Sequence, residues 1–151
     1  MRRAAIRFVP AVVAVVVAGV VAVIAHADAG NGATTQDVLG PGDVTVTLTI
    51  HHSRFEPDRI RVAPGTTVRF IVDNRDPINH ELIIGDAEVH RRHELGTEPV
   101  HPPRPGEVSV PALTTAETTF AFADAGSVLY ACHLPGHFRY GMSGYVDVGL
   151  K

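Results

Sequence analysis

From Val44 onward, apolar and polar residues trade places at short intervals, and each change of period marks an element. Val44-Thr-Val-Thr-Leu-Thr-Ile50 alternates strictly, the pattern of a strand with one face buried and one in water. Phe55, Ile60 and Val62 carry shorter apolar beats up to Pro64-Gly65, a turn pair. Val68-Arg-Phe-Ile-Val72 reads as a more deeply buried strand. Residues 73–79 predict a loop, and His80-Glu-Leu-Ile-Ile84 opens the next strand. Val108-Ser-Val110, Thr118-Thr-Phe-Ala-Phe122, Val128-Leu-Tyr-Ala-Cys132 and Gly144-Tyr-Val-Asp-Val148 complete the set. About eight short strands punctuated by Gly and Pro predict an all-β fold, a Greek-key β-sandwich of two sheets. Between residues 85 and 107 the strand pattern stops. Glu88-Val-His-Arg-Arg-His-Glu-Leu95 suits a short helix, and Pro99, Pro102, Pro103 and Pro105 make the remainder irregular.

The first 27 residues belong to a different class. Arg2, Arg3 and Arg7 precede an apolar run of 18 residues, Phe8 to Ala25, which closes on Ala25-His26-Ala27. Positive charge, apolar run, then small residues is the order of a secretory signal peptide, with cleavage expected after Ala27. The same run is long enough for a retained membrane anchor. Either outcome places the folded domain outside the cytoplasm. Residues 28–42 are small and polar and read as a flexible linker, leaving residues 43–151 as the domain. A chain of 151 residues makes one domain. Of its 13 basic residues three precede residue 28, so the mature part carries 10 against 16 acidic, a net charge of −6. That balance argues against nucleic acid as a partner and suits weak docking to a basic protein. With a single cysteine the chain forms no internal disulfide. A free thiol in an exported protein is open to oxidation, and a metal bond removes that liability.

The cysteine is also where the chemistry concentrates. Tyr130-Ala-Cys132-His-Leu-Pro-Gly-His137-Phe-Arg-Tyr-Gly-Met142-Ser-Gly144 puts a thiolate, an imidazole and a thioether on one short loop. With a second imidazole from elsewhere, for which His80 is placed, these are the ligands of a blue-copper site. Pro135-Gly136 supplies a tight turn that brings His137 back, and Gly141 and Gly144 let the backbone approach around Met142. Cys132, His137, Met142 and His80, in this order and spacing, resemble the cupredoxins, with a loop most similar to rusticyanin- and auracyanin-type members. The resemblance covers roughly residues 44–148. It implies a cupredoxin-like sandwich holding one mononuclear type 1 copper, with the long excursion at residues 85–107 running between its sheets. It further implies a one-electron carrier between extracytoplasmic redox proteins, docking through Leu134, Pro135, Phe138 and Ile78 around the edge of His137. A monomer is expected. The binuclear purple-copper centre is excluded, because it needs two cysteines.

In many cupredoxins the residue after the first histidine is an asparagine that ties the two ligand segments together. Here that position is Glu81, which leaves the tie to Asn79 or Asn74. His133, next to Cys132, is expected to point away from the metal. His51 and His52 read as a solvated turn. His90 and His93, three apart, with His101 nearby, read as polar residues of an exposed excursion that could share a surface metal. This histidine excess motivates the alternative function, copper handling as a chaperone or scavenger. An oxidase or reductase would need further copper and a second such domain, so no catalysis is expected.

Overall fold

The computed structural model describes residues 37–96, 100 and 102–149. The signal or anchor segment, most of the linker and His101 lie outside the described residues. These contain nine strands in two sheets and one α-helix. Strands β1 (Gly42–His51), β2 (Arg54–Glu56), β4 (Thr66–Asn74) and β7 (Thr115–Phe122) form a sheet in the order β2-β1-β4-β7. Strands β3 (Arg59–Val62), β5 (His80–Gly85), β6 (Glu107–Val110), β8 (Gly126–Ala131) and β9 (Ser143–Val148) form the other, in the order β3-β9-β8-β5-β6. This is the predicted β-sandwich. The alternation read in the sequence sets its inner faces: Leu48, Ile50, Val68, Phe70 and Val72 from one sheet meet Val62, Leu82, Ile84, Val110, Tyr130 and Val146 from the other. Each such side chain contributes about 1.5–3 kcal/mol by leaving water. Tyr130 is wholly buried, and its hydroxyl donates to the carbonyl of Pro57 at 2.7 Å, so the phenol adds no unpaired polar atom.

The long excursion corrects the sequence reading. It does not run between the sheets. It leaves β5 and returns as β6, the antiparallel neighbour of β5 in the same sheet, with His80 opposite Val110 and Ile83 opposite Glu107. Passage to the other sheet is made by residues 111–114, between β6 and β7. What occupies the excursion is α1 (Ala87–Glu94), started by Asp86, whose carboxylate accepts from the N–H groups of Glu88 and Val89 at 3.0 Å each. The helix lies on the outer face of β5, so both faces of that strand are covered and Glu81 through Ile84 are all buried.

Strand order positions the candidate loop. β5 pairs with β8 antiparallel, Ile83 opposite Ala131 and Ile84 opposite Tyr130. Continuing that register sets Glu81 against His133. β8 pairs with β9, Ala131 opposite Ser143, which sets Cys132 beside Met142. The period of two then sorts the side chains: His80, Leu82, Tyr130 and Cys132 face inward, while Glu81, Ile83, Ala131 and His133 face α1.

Candidate metal centre

Three donor atoms meet at one end of the sandwich. His80 Nδ1 and His137 Nδ1 are 3.2 Å apart, Cys132 Sγ is 3.2 Å from His137 Nδ1, and Cys132 Sγ is 4.0 Å from His80 Nδ1. Two metal–ligand bonds of about 2.0–2.3 Å span at most about 4.3 Å, so a single ion reaches all three donors. Among the described residues this is the group of three His, Cys, Asp or Glu side chains close enough to hold an ion. His80 and Cys132 are buried and His137 is half-buried. Met142 is fully buried beside them: its N–H donates to the carbonyl of His137 at 3.0 Å and its carbonyl accepts from the N–H of Cys132 at 3.2 Å.

Local structure explains the loop. The N–H of His137 donates to the carbonyl of Leu134 at 2.9 Å, closing a turn over Pro135-Gly136. A single 3-10 turn, Phe138–Tyr140, follows and ends at Gly141 with φ of 87°, a left-handed conformation that glycine adopts without strain. The carbonyl of Gly141 accepts from Arg54 Nη1 at 2.7 Å, which staples the Met142 end of the loop to β2.

Two carboxylates brace the centre, and neither role was legible in the spacing of ligands. Asp76 Oδ2 lies 3.0 Å from His80 Nε2, while the same carboxylate accepts from the N–H groups of His52 and Ser53 at 2.7 Å each. A carboxylate partner holds the proton on Nε2 and turns the Nδ1 lone pair toward the site. Burial raises the Asp76 pKa, but the N–H groups of Ser53 and His52, together with His80, outweigh it and hold the carboxyl below its ordinary value. Glu81 makes the tie expected of Asn79 or Asn74: its Oε1 accepts from the N–H of His133 at 2.7 Å and joins β5 to the cysteine segment. Asn74 instead donates to the carbonyls of Ile78, Val110 and Pro111, and Asn79 accepts from the N–H of Ala112. The reason is register. Glu81 and His133 sit opposite each other on the outer face, whereas Asn74 ends β4 and Asn79 is held in the loop that follows it.

Burial pushes the Cys132 thiol up to about 12 and the imidazoles of His80 and His137 below their ordinary value. The metal-free centre therefore holds neutral imidazoles and a protonated thiol at neutral pH, and a bound metal displaces the thiol proton. Thiolate, imidazole and thioether together suit copper.

The other histidines among the described residues fall into two groups. His51 and His52 are exposed, their rings stacked at 3.8 Å. His90 and His93 are not on an exposed surface as expected. They are buried, 7% and 3% exposed, because α1 turns them onto the outer face of the sheet. His133 points away from the centre, as its strand position predicts. Around His137, Ile78 and Pro135 are exposed and Leu134 and Phe138 half-buried.

Residues 12–126 match the family model of the cupredoxin-like domain. The chain belongs to the cupredoxins. Among known proteins this cupredoxin is similar to the copper-resistant cuproprotein CopI of Rubrivivax gelatinosus, 36% identical over 152 residues, 87% of this chain and 92% of the relative. The protein of the same name from Pseudomonas aeruginosa is 29% identical over 126 residues, covering 62% of this chain and 70% of the relative. The fold is shared with auracyanin A of Chloroflexus aurantiacus, at a TM-score of 0.57 and 24% identity over 71% of this chain and 99% of that one. It is shared with a rusticyanin at 0.53 and 17% identity, over 79% and 85%. It is a copper-binding cupredoxin, and its His-Cys-His cluster can hold one copper ion.

Proposed function

We propose that this cupredoxin works outside the cytoplasm in copper resistance, passing single electrons through a type 1 copper held by His80, Cys132, His137 and Met142. The observation that carries the reading is the convergence of a buried thiol and two Nδ1 atoms within 4.0 Å of one another, brought together by β5 and the loop between β8 and β9. When bound, copper supplies the one-electron couple, and the thiolate of Cys132 gives it a soft donor. Asp76 keeps His80 in one tautomer and one orientation through both redox states. His137, the half-buried ligand, is the edge where redox protein partners meet the site, across Leu134, Pro135, Phe138 and Ile78. Such encounters are small and transient. Four side-chain donors leave no open position of the kind a catalytic metal keeps, so the protein is read as a carrier and not an enzyme. Export follows from the arginines and apolar run at the N-terminus, with a tether if the run is retained. The role in resistance is supported by the names of the relatives, which align over 92% of the Rubrivivax protein.

The second reading, a chaperone or scavenger that gives copper up, is favoured by the buried His90, His93 and His133 behind the centre. One experiment separates the two. The copper-loaded protein is cycled with a small reductant and oxidant in the presence of a weak chelator. A carrier keeps its copper through repeated cycles, and loss of copper within the first reduction supports handling. In the organism of origin, Cys132→Ser should fail to restore growth in copper-containing medium where the natural chain restores it.

A further inference from the structure

We infer that the outer face of the sheet, under α1, is a second metal site, taking a divalent imidazole-favouring ion such as Cu(II) on His90, His133, His93 and Glu81. This goes beyond the redox role of the first centre and does not depend on it. His90 Nδ1 and His133 Nε2 face each other at 2.8 Å, a separation that two ligands of one ion can hold. His90 Nε2 lies 3.2 Å from the carbonyl of Leu129, which keeps the proton on that nitrogen and leaves Nδ1 to accept from the Nε2–H of His133, a proton that a bound ion displaces. His93 is prepared in the same way. Its Nε2 lies 3.0 Å from Glu107 Oε2, and its Nδ1 is turned toward Glu81, whose Oε2 is 4.0 Å away. An imidazole whose far nitrogen is committed to a carbonyl or carboxylate is oriented as metal-ligating histidines are. The His133 ring lies between the other two, its centroid 5.1 Å from that of His90 and 6.4 Å from that of His93.

Position adds to this. His80-Glu81 and Cys132-His133 are adjacent pairs, and the period of two sends one member of each to the copper site and the other to this cluster. A cleft of about 340 Å³ lined by Glu81, His93, Glu94, His133, Leu134 and Pro135 opens to it, giving an entry path. The His90–His133 pair is preformed. His93 Nδ1 and Glu81 Oε2, 4.0 Å apart, close on the ion while Glu107 and the N–H of His133 keep their bonds to the other ends of these side chains, so the second site assembles on binding, unlike the first. Imidazole and carboxylate without thiolate suit Cu(II) or Zn(II) rather than Cu(I).

The test uses the full chain carrying His51→Ala and His52→Ala, which removes the exposed pair. It is saturated with Cu(II), freed of loose metal and assayed for copper per chain, with and without His90→Ala/His93→Ala. The double variant is expected to hold one copper fewer while the intense absorption of the first centre is unchanged, which also shows that it folds. Equal copper content in the two proteins overturns the proposal. Should the double variant lose the first centre as well, Cu(II) titration of the parent by electron paramagnetic resonance decides. A second signal that saturates at one further equivalent is expected, and a single signal throughout overturns the site.

Discussion

The candidate copper ligands differ in what holds them. His80 is fixed by Asp76, and Asp76 is fixed in turn by two backbone N–H groups and by its own N–H to Asn74 Oδ1. Asp76→Ala should therefore do two things. It strands the N–H groups of His52 and Ser53, lowering stability by about 1–3 kcal/mol, read from urea melts of the metal-free protein. It also frees the His80 ring, lowering copper affinity about 10–100-fold in a chelator competition. Glu81 is a second separable case. Glu81→Ala removes the acceptor from the N–H of His133 and should cost about 1–3 kcal/mol, while Glu81→Gln, which keeps an acceptor, should recover most of it. Equal melts for the two variants would mean that the carboxylate does not act through this bond. The four candidate ligands were legible because three of them lie within one loop of the chain. Asp76 and Glu81 were not: Asp76 is only four residues from His80 but reaches it through an irregular loop whose shape depends on the N–H of His52, 24 residues away, and the partner of Glu81 lies 52 residues away.

At the level of elements, the strands announced themselves through alternation, and the errors came where burial took another form. Both faces of β5 are covered, so its run from Glu81 to Ile84, one acid and three apolar residues, is buried throughout and shows no period of two. The helix presents His90 and His93 inward in place of an apolar stripe, which hid its packing from any hydropathy pattern. The excursion looked like a link between sheets because the sequence cannot show that β6 returns to the edge of β5. Close approach at the loop is a property of the strands that carry it. An added Cβ on Gly144 would lie 2.3 Å from the Tyr130 ring and 2.4 Å from the carbonyl of Asp58. Both neighbours are held, Tyr130 by full burial, so Gly144→Ala should displace β9 from β8 and destabilise the protein by about 2–3 kcal/mol in thermal or urea unfolding. An unchanged melting temperature would show that β9 moves freely there.

Across the whole molecule, acid stability tests how the second sheet is held at its edge. Asp147 on β9 accepts from Ser127 Oγ at 2.8 Å and pairs with Arg59 on β3. Burial raises its pKa, but the Ser127 hydroxyl and the Arg59 guanidinium outweigh that and hold it below its ordinary value. A depressed carboxylate gives stability that is present above its unfolded pKa of about 3.9 and is lost as pH falls through the lower folded value. The metal-free protein should therefore exceed Asp147→Asn in melting temperature at neutral pH, and the gap should close below about pH 4. A gap constant with pH would assign the effect to packing.

The fold, the buried cage and the braces on His80 all converge on one claim, that Cys132 binds copper as a thiolate between two imidazoles. The visible absorption spectrum of the Cu(II)-loaded chain, before and after ascorbate, tests it directly. The account predicts an intense thiolate-to-copper band that bleaches on reduction, returns on reoxidation and is absent from Cys132→Ser. A colourless complex, or a colour that survives in Cys132→Ser, would contradict it.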